Sequence, residues 1–278
     1  MPYDPKTVRD FYDVRTEKEW SRLERDPMGR LIYEVHAKAI RDAISRNDRV
    51  LELGAGAGRF SKDIAELTPH LTITDISQRQ LEFNQKKLTD LGLADRVEAW
   101  LEADICDLSR FEDGSFDTVI CIGGALNYVF EREERAFGEM VRVLRPEGVL
   151  LLGVMSLAGI IRQALAGVVV SYTQQGSDAI DWLLRTGKQD EIHYTGVAGH
   201  RVHMMRRSDI LELCDRFNAT VEKTYCGGFL ATAHPEALQK ASEVDDRLWE
   251  QLVEAEISLC ESPGLLEAGT HMIFLIRK

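Results

Sequence analysis

The stretch that decides the fold of this chain is Val50-Leu51-Glu52-Leu53-Gly54-Ala55-Gly56-Ala57-Gly58-Arg59-Phe60. Its first four residues are mostly apolar and predict a buried strand, and its three alternating glycines predict a tight turn that opens a helix. Glycine has no Cβ and adopts backbone angles closed to other residues, so such a turn brings bare backbone against a ligand. The stretch therefore predicts a ligand site at a strand-to-helix junction.

The spacing of the glycines narrows the class of ligand. A dinucleotide-binding turn has the pattern G-x-G-x-x-G, and its third glycine permits close packing between helix and strand. Here the pattern is G-x-G-x-G, and Arg59 occupies the position that the dinucleotide pattern gives to glycine. The sequence therefore disfavours a nicotinamide or flavin dinucleotide and leaves a dehydrogenase as a rival interpretation.

From Leu51 to Gly58 the chain resembles the first motif of class I S-adenosylmethionine-dependent methyltransferases, in which an acidic residue, here Glu52, precedes the glycines. The resemblance covers residues 45–155 well and the final strands loosely. It implies S-adenosylmethionine as the cofactor, S-adenosylhomocysteine as its product, and methyl transfer by in-line displacement.

Residues 49–155 alternate short apolar runs with amphipathic segments, which is the pattern of a parallel sheet covered on both faces. The fold class is therefore α/β, with a Rossmann-like, seven-stranded, mostly parallel sheet, helices on both faces and helical cap additions. A turn at Arg145-Pro146-Glu147-Gly148 is expected to end a helix before the fifth strand. The predicted strands lie at 49–53, 71–76, 97–103, 116–122, 149–155, 220–225 and 271–276.

Helical segments flank and interrupt this core. We expect the chain to divide into an N-terminal lid of two helices (1–46), a core that binds S-adenosylmethionine (47–155), a helical cap insertion (156–200) and a C-terminal part of the core (201–278), with a helical insertion at about 229–266. All three additions are placed where they can cover the carboxyl ends of the strands. A cap of this bulk favours a small-molecule acceptor over an extended polymer.

Two aspartates end predicted strands. In an open α/β sheet a ligand binds outside the carboxyl ends of the strands, where the strand order reverses. Asp75 ends the second strand, and its carboxylate can accept hydrogen bonds from vicinal ribose hydroxyls. For Asp104, after the third strand, the resemblance implies a contact to the adenine amino group, with Ile105 as an apolar neighbour. Either aspartate is alternatively a turn or capping residue.

Three other side chains belong to the cofactor hypothesis. Glu52 lies among apolar residues, so an ionised carboxylate there needs a partner such as the cofactor's ammonium group or backbone amides. Tyr12 and Tyr33 either cover the cationic sulfonium or pack between helices. Arg59 either reaches the cofactor carboxylate or points to solvent. The predicted cofactor-binding residues are Glu52, Gly54, Ala55, Gly56, Gly58, Asp75, Ile76, Asp104, Ile105, Gly123, Tyr12 and Tyr33.

Candidate proton acceptors follow the fourth strand, at Asn127 and Tyr128, and the cap insertion, at His193, His200 and His203. We select Tyr128 and His203 as the candidate catalytic residues, although each histidine is alternatively an ordinary surface or strand residue. Residues 201–205 read as an extended segment, and residues three apart on a strand face opposite sides. The histidine spacing therefore predicts no metal site.

Composition restricts the partners. The formal net charge of −12 opposes binding to nucleic acid or to an anionic membrane surface. No apolar run approaches the roughly 18 residues that span a bilayer, and the five cysteines show no C-x-x-C spacing, as is typical of a reducing compartment. We therefore expect a cytoplasmic protein with a small-molecule substrate, no nucleic acid and no membrane partner, and an oligomeric state that the sequence leaves unassigned.

The sequence thus predicts methyl transfer to a small molecule, with the acceptor atom (O, N, S or C) undetermined. Two alternatives keep the same cofactor. One is a non-methylating enzyme of the same fold, and the other is a non-catalytic module that binds S-adenosylmethionine.

Overall fold

The computed structural model describes residues 3–190, 193 and 201–278. The strands in chain order are β1 (Val50–Leu53), β2 (Leu71–Asp75), β3 (Val97–Glu102), β4 (Phe116–Cys121), β5 (Leu144–Met155), β6 (Lys188–Gln189), β7 (Val202–His203), β8 (Thr220–Gly227) and β9 (His271–Arg277). The helices are α1 (Pro5–Asp13), α2 (Thr16–Ser21), α3 (Pro27–Ala43), α4 (Ser61–Leu67), α5 (Gln78–Asp90), α6 (Glu133–Val143), α7 (Leu157–Gln163), α8 (Leu165–Gln175), α9 (Ser177–Thr186), α10 (Arg207–Arg216), α11 (Pro235–Val244) and α12 (Asp246–Leu259).

One seven-stranded sheet forms the centre of the molecule, with the strand order β3-β2-β1-β4-β5-β9-β8. Strands β1 to β5 pair in parallel, whereas β9 is antiparallel to both β5 and β8. This confirms the predicted mostly parallel α/β sheet. The order reverses between β1 and β4, so a crevice opens beyond their carboxyl ends, which is where such sheets bind ligands.

Two apolar layers hold helices against the sheet. On one face α6 and α10 contribute residues such as Phe137 and Ile210 to an apolar layer that also contains Leu51 of β1. On the other face α3, α4 and α5 pack around Val50, which points the opposite way from its neighbour in the strand. Burying one large apolar side chain stabilises a fold by roughly 1.5–3 kcal/mol, so these layers make the sheet a rigid platform for the crevice.

The N-terminal region has three helices, and the prediction of two was wrong. Asp26 caps α3 by accepting a hydrogen bond from the Gly29 amide at 2.8 Å, and Pro27 opens that helix, which is the usual signature of a new helix start. Helix α3 lies in the core, where Leu31 and Ile40 are fully buried. Among residues 3–43, the segment ahead of α3 is therefore the part that is left to cover the crevice.

The predicted turn at residues 145–148 lies inside a strand. Helix α6 ends at Val143, and β5 begins at once with Leu144 opposite Phe116. The next paired residue is Val149, opposite Thr118, so the residues between them bulge out of the sheet. The predicted turn is therefore a bulge within β5, and it keeps α6 close to that strand.

The two later insertions pack on themselves or on α3. Helices α7 and α9 share a small apolar cluster that includes Leu157 and Leu183, next to the two-stranded pair β6 and β7. The extended segment predicted at 201–205 contains β7. Helices α11 and α12 contact α3 on the outer face of the sheet, through residues such as Leu238 and Trp249.

Candidate active site

A cavity of about 330 Å³ lies beyond the carboxyl ends of β1 to β5. Its opposite wall is formed by residues 3–23, which comprise α1, α2 and their flanks and which we call the roof. The cavity is lined by ten of the predicted site residues, namely Tyr12, Gly54, Ala55, Gly56, Asp75, Ile76, Asp104, Ile105, Gly123 and Tyr128. The structure thus brings together side chains from five segments that are distant in sequence.

The glycine turn is open toward this cavity. Gly56 has a φ of +54°, and a Cβ built there would approach one described atom, Gln80 Oε1, at 4.0 Å. Gly123 has a φ of +89°, and a Cβ there would meet no atom of the described chain within 4 Å. Gly54 differs, because its Cβ would lie 2.9 Å from Ala125 Cβ. Gly56 and Gly123 therefore form a backbone cradle whose missing side chains leave space for a ligand.

Asp75 links the second strand to this turn. Its Oδ2 accepts a hydrogen bond from the Gly56 amide at 2.8 Å, and its Oδ1 accepts one from the Ser77 amide at 2.8 Å. Burial raises the pKa of Asp75 to about 6, and the backbone hydrogen bonds oppose that rise. Each carboxylate oxygen keeps a further acceptor position, so the pair can receive two vicinal hydroxyls.

Gln80 supplies an acceptor that sequence reasoning missed. Its Nε2 donates to the backbone oxygen of Tyr12 at 2.8 Å, which ties α5 to the roof. Its Oε1 is buried in the cavity wall and has no hydrogen-bond partner within the described chain. A buried acceptor without a partner costs about 1–3 kcal/mol, so a ligand that donates a hydrogen bond there is favoured. Together with the cradle and Asp75, this fits an adenosine-containing ligand.

Asp104 has a partner in the roof. The Tyr3 hydroxyl donates to its Oδ1 at 3.1 Å, and the Cys106 amide donates to the same oxygen at 2.8 Å. Burial and the neighbouring carboxylate raise the pKa of Tyr3 far above its ordinary range, so the phenol stays protonated and remains a donor. Tyr3 thereby positions the carboxylate of Asp104, which lies just after β3.

Glu52 and Gly58 lie beneath the turn and outside the cavity lining. Glu52 Oε2 accepts a hydrogen bond from the Ser61 hydroxyl at 2.6 Å, and Ser61 in turn accepts one from Asn84 Nδ2 at 2.9 Å. A Cβ at Gly58 would lie 2.7 Å from Asn84 Cγ. Burial raises the pKa of Glu52 to about 8. Within the described chain Glu52 thus pairs with a serine hydroxyl, and not with the cofactor's ammonium group or the backbone amides predicted from sequence. Both Glu52 and Gly58 support the turn from below.

Tyr33 and Arg59 lie side by side near the cavity. Tyr33 stacks on Phe60 with ring centroids 6.0 Å apart and donates to Asp63 Oδ1 at 2.6 Å, so it packs between helices and lies outside the lining. Arg59 lines the cavity with its side chain 11% exposed, forms an ion pair with Glu24 at 2.6 Å and lies 4.3 Å from the Tyr33 ring centroid. It therefore does not point to solvent.

Two tyrosines meet across the cavity. The Tyr12 and Tyr128 rings are arranged edge to face, with centroids 5.8 Å apart. Burial raises the pKa of both phenols. Asn127, next in the chain, is fully buried and donates to the backbone oxygen of His203 at 2.6 Å, so it holds β7 near the sheet.

The predicted histidines do not meet at the cavity. His203 lies outside its lining, and its Nδ1 is 2.5 Å from Glu133 Oε1. His193 stacks on Trp182 at 3.8 Å, and His200 lies outside the described residues. The histidine that lines the cavity is His271, the first residue of β9. The residues around His271 predict only a strand, so no motif marked this histidine as a site residue.

The insertions expected to cap the site do not line this cavity within the described ranges. Its lining passes from Met155 to His271 with no described residue between them, because α7 to α9 pack among themselves and α11 and α12 pack on α3. Residues 3–190, 193 and 201–278 contain no group of three or more His, Cys, Asp or Glu side chains that could hold a metal ion. None of their helices combines the length and apolarity needed to cross a membrane.

Comparisons with known proteins give the following matches. Residues 50–148 match the family model described as a methyltransferase domain. A putative methyltransferase of Bacillus subtilis, YqeM, is 32% identical over 126 residues, which are 45% of this chain and 49% of that protein. The ubiquinone/menaquinone biosynthesis C-methyltransferase UbiE of Psychromonas ingrahamii is 32% identical over 149 residues, 52% of each chain.

Solved structures agree on the architecture. A putative sarcosine dimethylglycine methyltransferase from Galdieria sulphuraria superposes with a TM-score of 0.54 and 18% identity, over 88% of this chain and 84% of that one. This likeness shows the fold. The chain spans about half the length of the two curated relatives, and the family match runs from β1 into β5, so the roof and the insertions lie outside it.

Proposed function

We propose that this chain, whose residues 50–148 form a class I S-adenosylmethionine-dependent methyltransferase domain, transfers a methyl group from S-adenosylmethionine to a small-molecule acceptor. When bound, the cofactor supplies an electrophilic methyl group on a sulfonium. The chain's own contribution is to hold both partners in line and to exclude water, and positional effects of this kind provide several kcal/mol.

The cofactor is assigned to the described cavity. Asp75 would accept the ribose hydroxyls, and Asp104 with Ile105 would contact the adenine. The glycine turn and Gly123 would face the methionine part. Gln80 Oε1, a buried acceptor in the same wall, would take a donor of the ligand. The aromatic faces of Tyr12 and Tyr128 would lie near the positive charge, which an aromatic ring attracts.

The observation that carries this proposal is the coupling of Asp75 to the Gly56 amide beside an open backbone cradle. Calorimetric titration tests it directly. We expect S-adenosylhomocysteine to bind with a Kd in the micromolar range or below, and NAD to give no heat of binding. Binding of NAD in preference would reinstate the dehydrogenase that the glycine spacing disfavours.

Support for a small acceptor comes from the size of the cavity and the roof that covers it. The name of the UbiE relative refers to carbon methylation, which favours a carbon acceptor here. We expect the protein, given methyl-labelled S-adenosylmethionine and a filtered small-molecule extract, to form a labelled product one methyl heavier with stoichiometric S-adenosylhomocysteine.

The same experiment separates the alternatives. A product that gains another fragment of the cofactor identifies a non-methylating enzyme of this fold. Binding without any turnover, across extracts from several growth conditions, identifies a module that binds S-adenosylmethionine without catalysis. Tyr128 stays a candidate catalytic residue, and Tyr128→Phe compared with Tyr172→Phe, which alters an exposed phenol of α8, measures its contribution.

A further inference from the structure

His271 is an ionisable side chain of the cavity wall to which the proposed cofactor site gives no role. His271 opens β9, where it pairs with Met155 of β5 on one side and with Gly227 of β8 on the other. Because β9 is antiparallel to its neighbours, its first residue lies at the same sheet edge as the carboxyl ends of the parallel strands. The sheet therefore holds an imidazole rigidly at the cavity, on the β5 side.

The surroundings of His271 keep its ring neutral. Its Nδ1 lies 3.2 Å from the Thr270 hydroxyl, and its ring meets His36 of α3 edge to face at 5.3 Å. His36 is itself buried, with Nδ1 2.8 Å from the backbone oxygen of Ile32. Burial, then His36, then Arg22 of the roof lower the pKa of His271 well below its ordinary value. Met155 and Gly227, its partners on β5 and β8, add no charge.

We propose that His271 accepts, at Nε2, the proton that the methyl acceptor loses, and that the acceptor is therefore a small molecule whose reacting atom carries a removable proton. This inference rests on the proposed function and extends it to a residue and a substrate class. Acceptors of this class are enols, phenols and activated carbon acids, as opposed to thioethers or tertiary amines, which have no proton to give.

The acceptor atom uses an electron pair to form its bond to the methyl carbon, and the pair of the broken carbon–sulfur bond stays on sulfur. The acceptor's proton moves to His271 Nε2 and leaves later to water that enters with product release. A neutral imidazole adds no charge beside a cationic ligand, and the imidazolium forms only as that ligand's charge is lost. The total charge in the cavity is therefore unchanged.

The test compares His271→Gln with a matched control, His70→Gln. His70 precedes β2 at the opposite edge of the sheet, is 46% exposed and pairs with Glu98 at 3.0 Å. Using the labelled extract assay, we expect His271→Gln to lower turnover at pH 7 by about 10²–10⁴-fold, as is typical for loss of an acid–base group, and His70→Gln to leave it unchanged. S-adenosylhomocysteine affinity should stay within twofold in both variants.

Two further measurements distinguish a proton acceptor from a structural residue. The deficit of His271→Gln should shrink as pH rises from 7 to 9.5, because more of the acceptor is then already deprotonated. In the wild type, the ¹⁵N resonance of the His271 ring should keep its neutral position well below pH 6.5 and shift when S-adenosylhomocysteine is added, without any turnover.

Clear results would overturn the inference. His271→Gln could turn over at the wild-type rate, or its loss of turnover could stay constant with pH. The His271 ring of the wild type could titrate near pH 6.5. A tenfold loss of S-adenosylhomocysteine affinity in His271→Gln would make His271 a cofactor contact. Absence of labelled product from the wild type would instead refute the proposed function. The two failures are therefore distinguishable.

Discussion

The Asp75 carboxylate accepts a hydrogen bond from the Gly56 amide at 2.8 Å, which ties the end of β2 to the middle of the glycine turn on β1. The other oxygen of the same carboxylate is held by the Ser77 amide, so the group is fixed in two directions. The acidic side chain and the bare backbone that face the cavity therefore keep one relative position. A change at either residue tests the cofactor assignment.

Asp75→Asn keeps the volume of the side chain but removes its charge and one acceptor. Hydrogen bonds to a charged group contribute about 1.5–3 kcal/mol, so the Kd for S-adenosylhomocysteine should rise about ten- to hundredfold in a calorimetric titration. Binding of free methionine should hardly change. Asp113→Asn, which alters an aspartate that is 80% exposed, serves as the control. An unchanged Kd for S-adenosylhomocysteine in Asp75→Asn would show that Asp75 does not bind the ribose.

The affinity should also depend on pH. Burial raises the pKa of Asp75 to about 6, so the carboxylate that we propose binds the ribose hydroxyls is ionised above that pH and protonated below it. We expect S-adenosylhomocysteine affinity to be constant between pH 7 and 8 and to fall by up to about tenfold per unit below pH 6. Asp75→Asn should lose this dependence. Parallel pH curves for the two proteins would assign the effect to another group.

Gly56→Val introduces a branched side chain into the cradle. Its φ of +54° is unfavourable for valine, by roughly 1–2 kcal/mol, but the space around its Cβ is free of close protein atoms. We expect near-native circular dichroism and no detectable S-adenosylhomocysteine binding. Gly92→Val is the control for strain, since Gly92 has a φ of +71° on an outer turn away from the cavity. Equal binding by both variants would contradict the cradle.

Glu52→Gln should change stability with a defined sign. Burial raises the pKa of Glu52 to about 8 from an ordinary value of 4.5, so the native state holds this proton more tightly than the unfolded chain. Its stabilising contribution is complete below pH 4.5 and is lost as pH rises through 8. Between those values the free energy of unfolding should fall by up to about 1.4 kcal/mol per pH unit.

Glutamine mimics the protonated acid, so Glu52→Gln should lack that slope and exceed the wild type in stability at pH 9. Urea unfolding at pH 5, 7 and 9 measures the difference. Glu134→Gln, at a side chain that is 60% exposed, provides the comparison. If Glu52→Gln and the wild type lose stability in parallel, the carboxyl of Glu52 is already ionised at neutral pH in the native state.

The sheet and the turn were largely predictable from sequence. Each strand of the main sheet lies within two residues of its predicted bounds, except at the start of β5, because buried strands and glycine turns leave strong local signals. Asp75 and Asp104 followed from the same logic, since strand ends locate the crevice. Both aspartates line the cavity.

The missed features depend on contacts between distant segments. Tyr3 reaches Asp104 across 101 positions, and His271 reaches the cavity only because β9 runs antiparallel between β5 and β8. Within the described ranges, the insertions expected to cover the site do not line the cavity, for a related reason. The sequence of an amphipathic helix identifies its apolar face but not the surface on which that face packs. Helix α11 packs on α3.

Helices α1 and α2 contain no buried residue, whereas α3, directly after them, contains ten. Tyr3 and Leu23, at the two ends of the roof, are buried. We therefore expect α1 and α2, which lie between them, to open locally at a small free-energy cost while the sheet and its acidic groups stay in place. A ligand that contacts both surfaces links its own occupancy to the order of residues 3–23. Slow amide exchange in α1 and α2 would then report a filled site, and fast exchange an empty one.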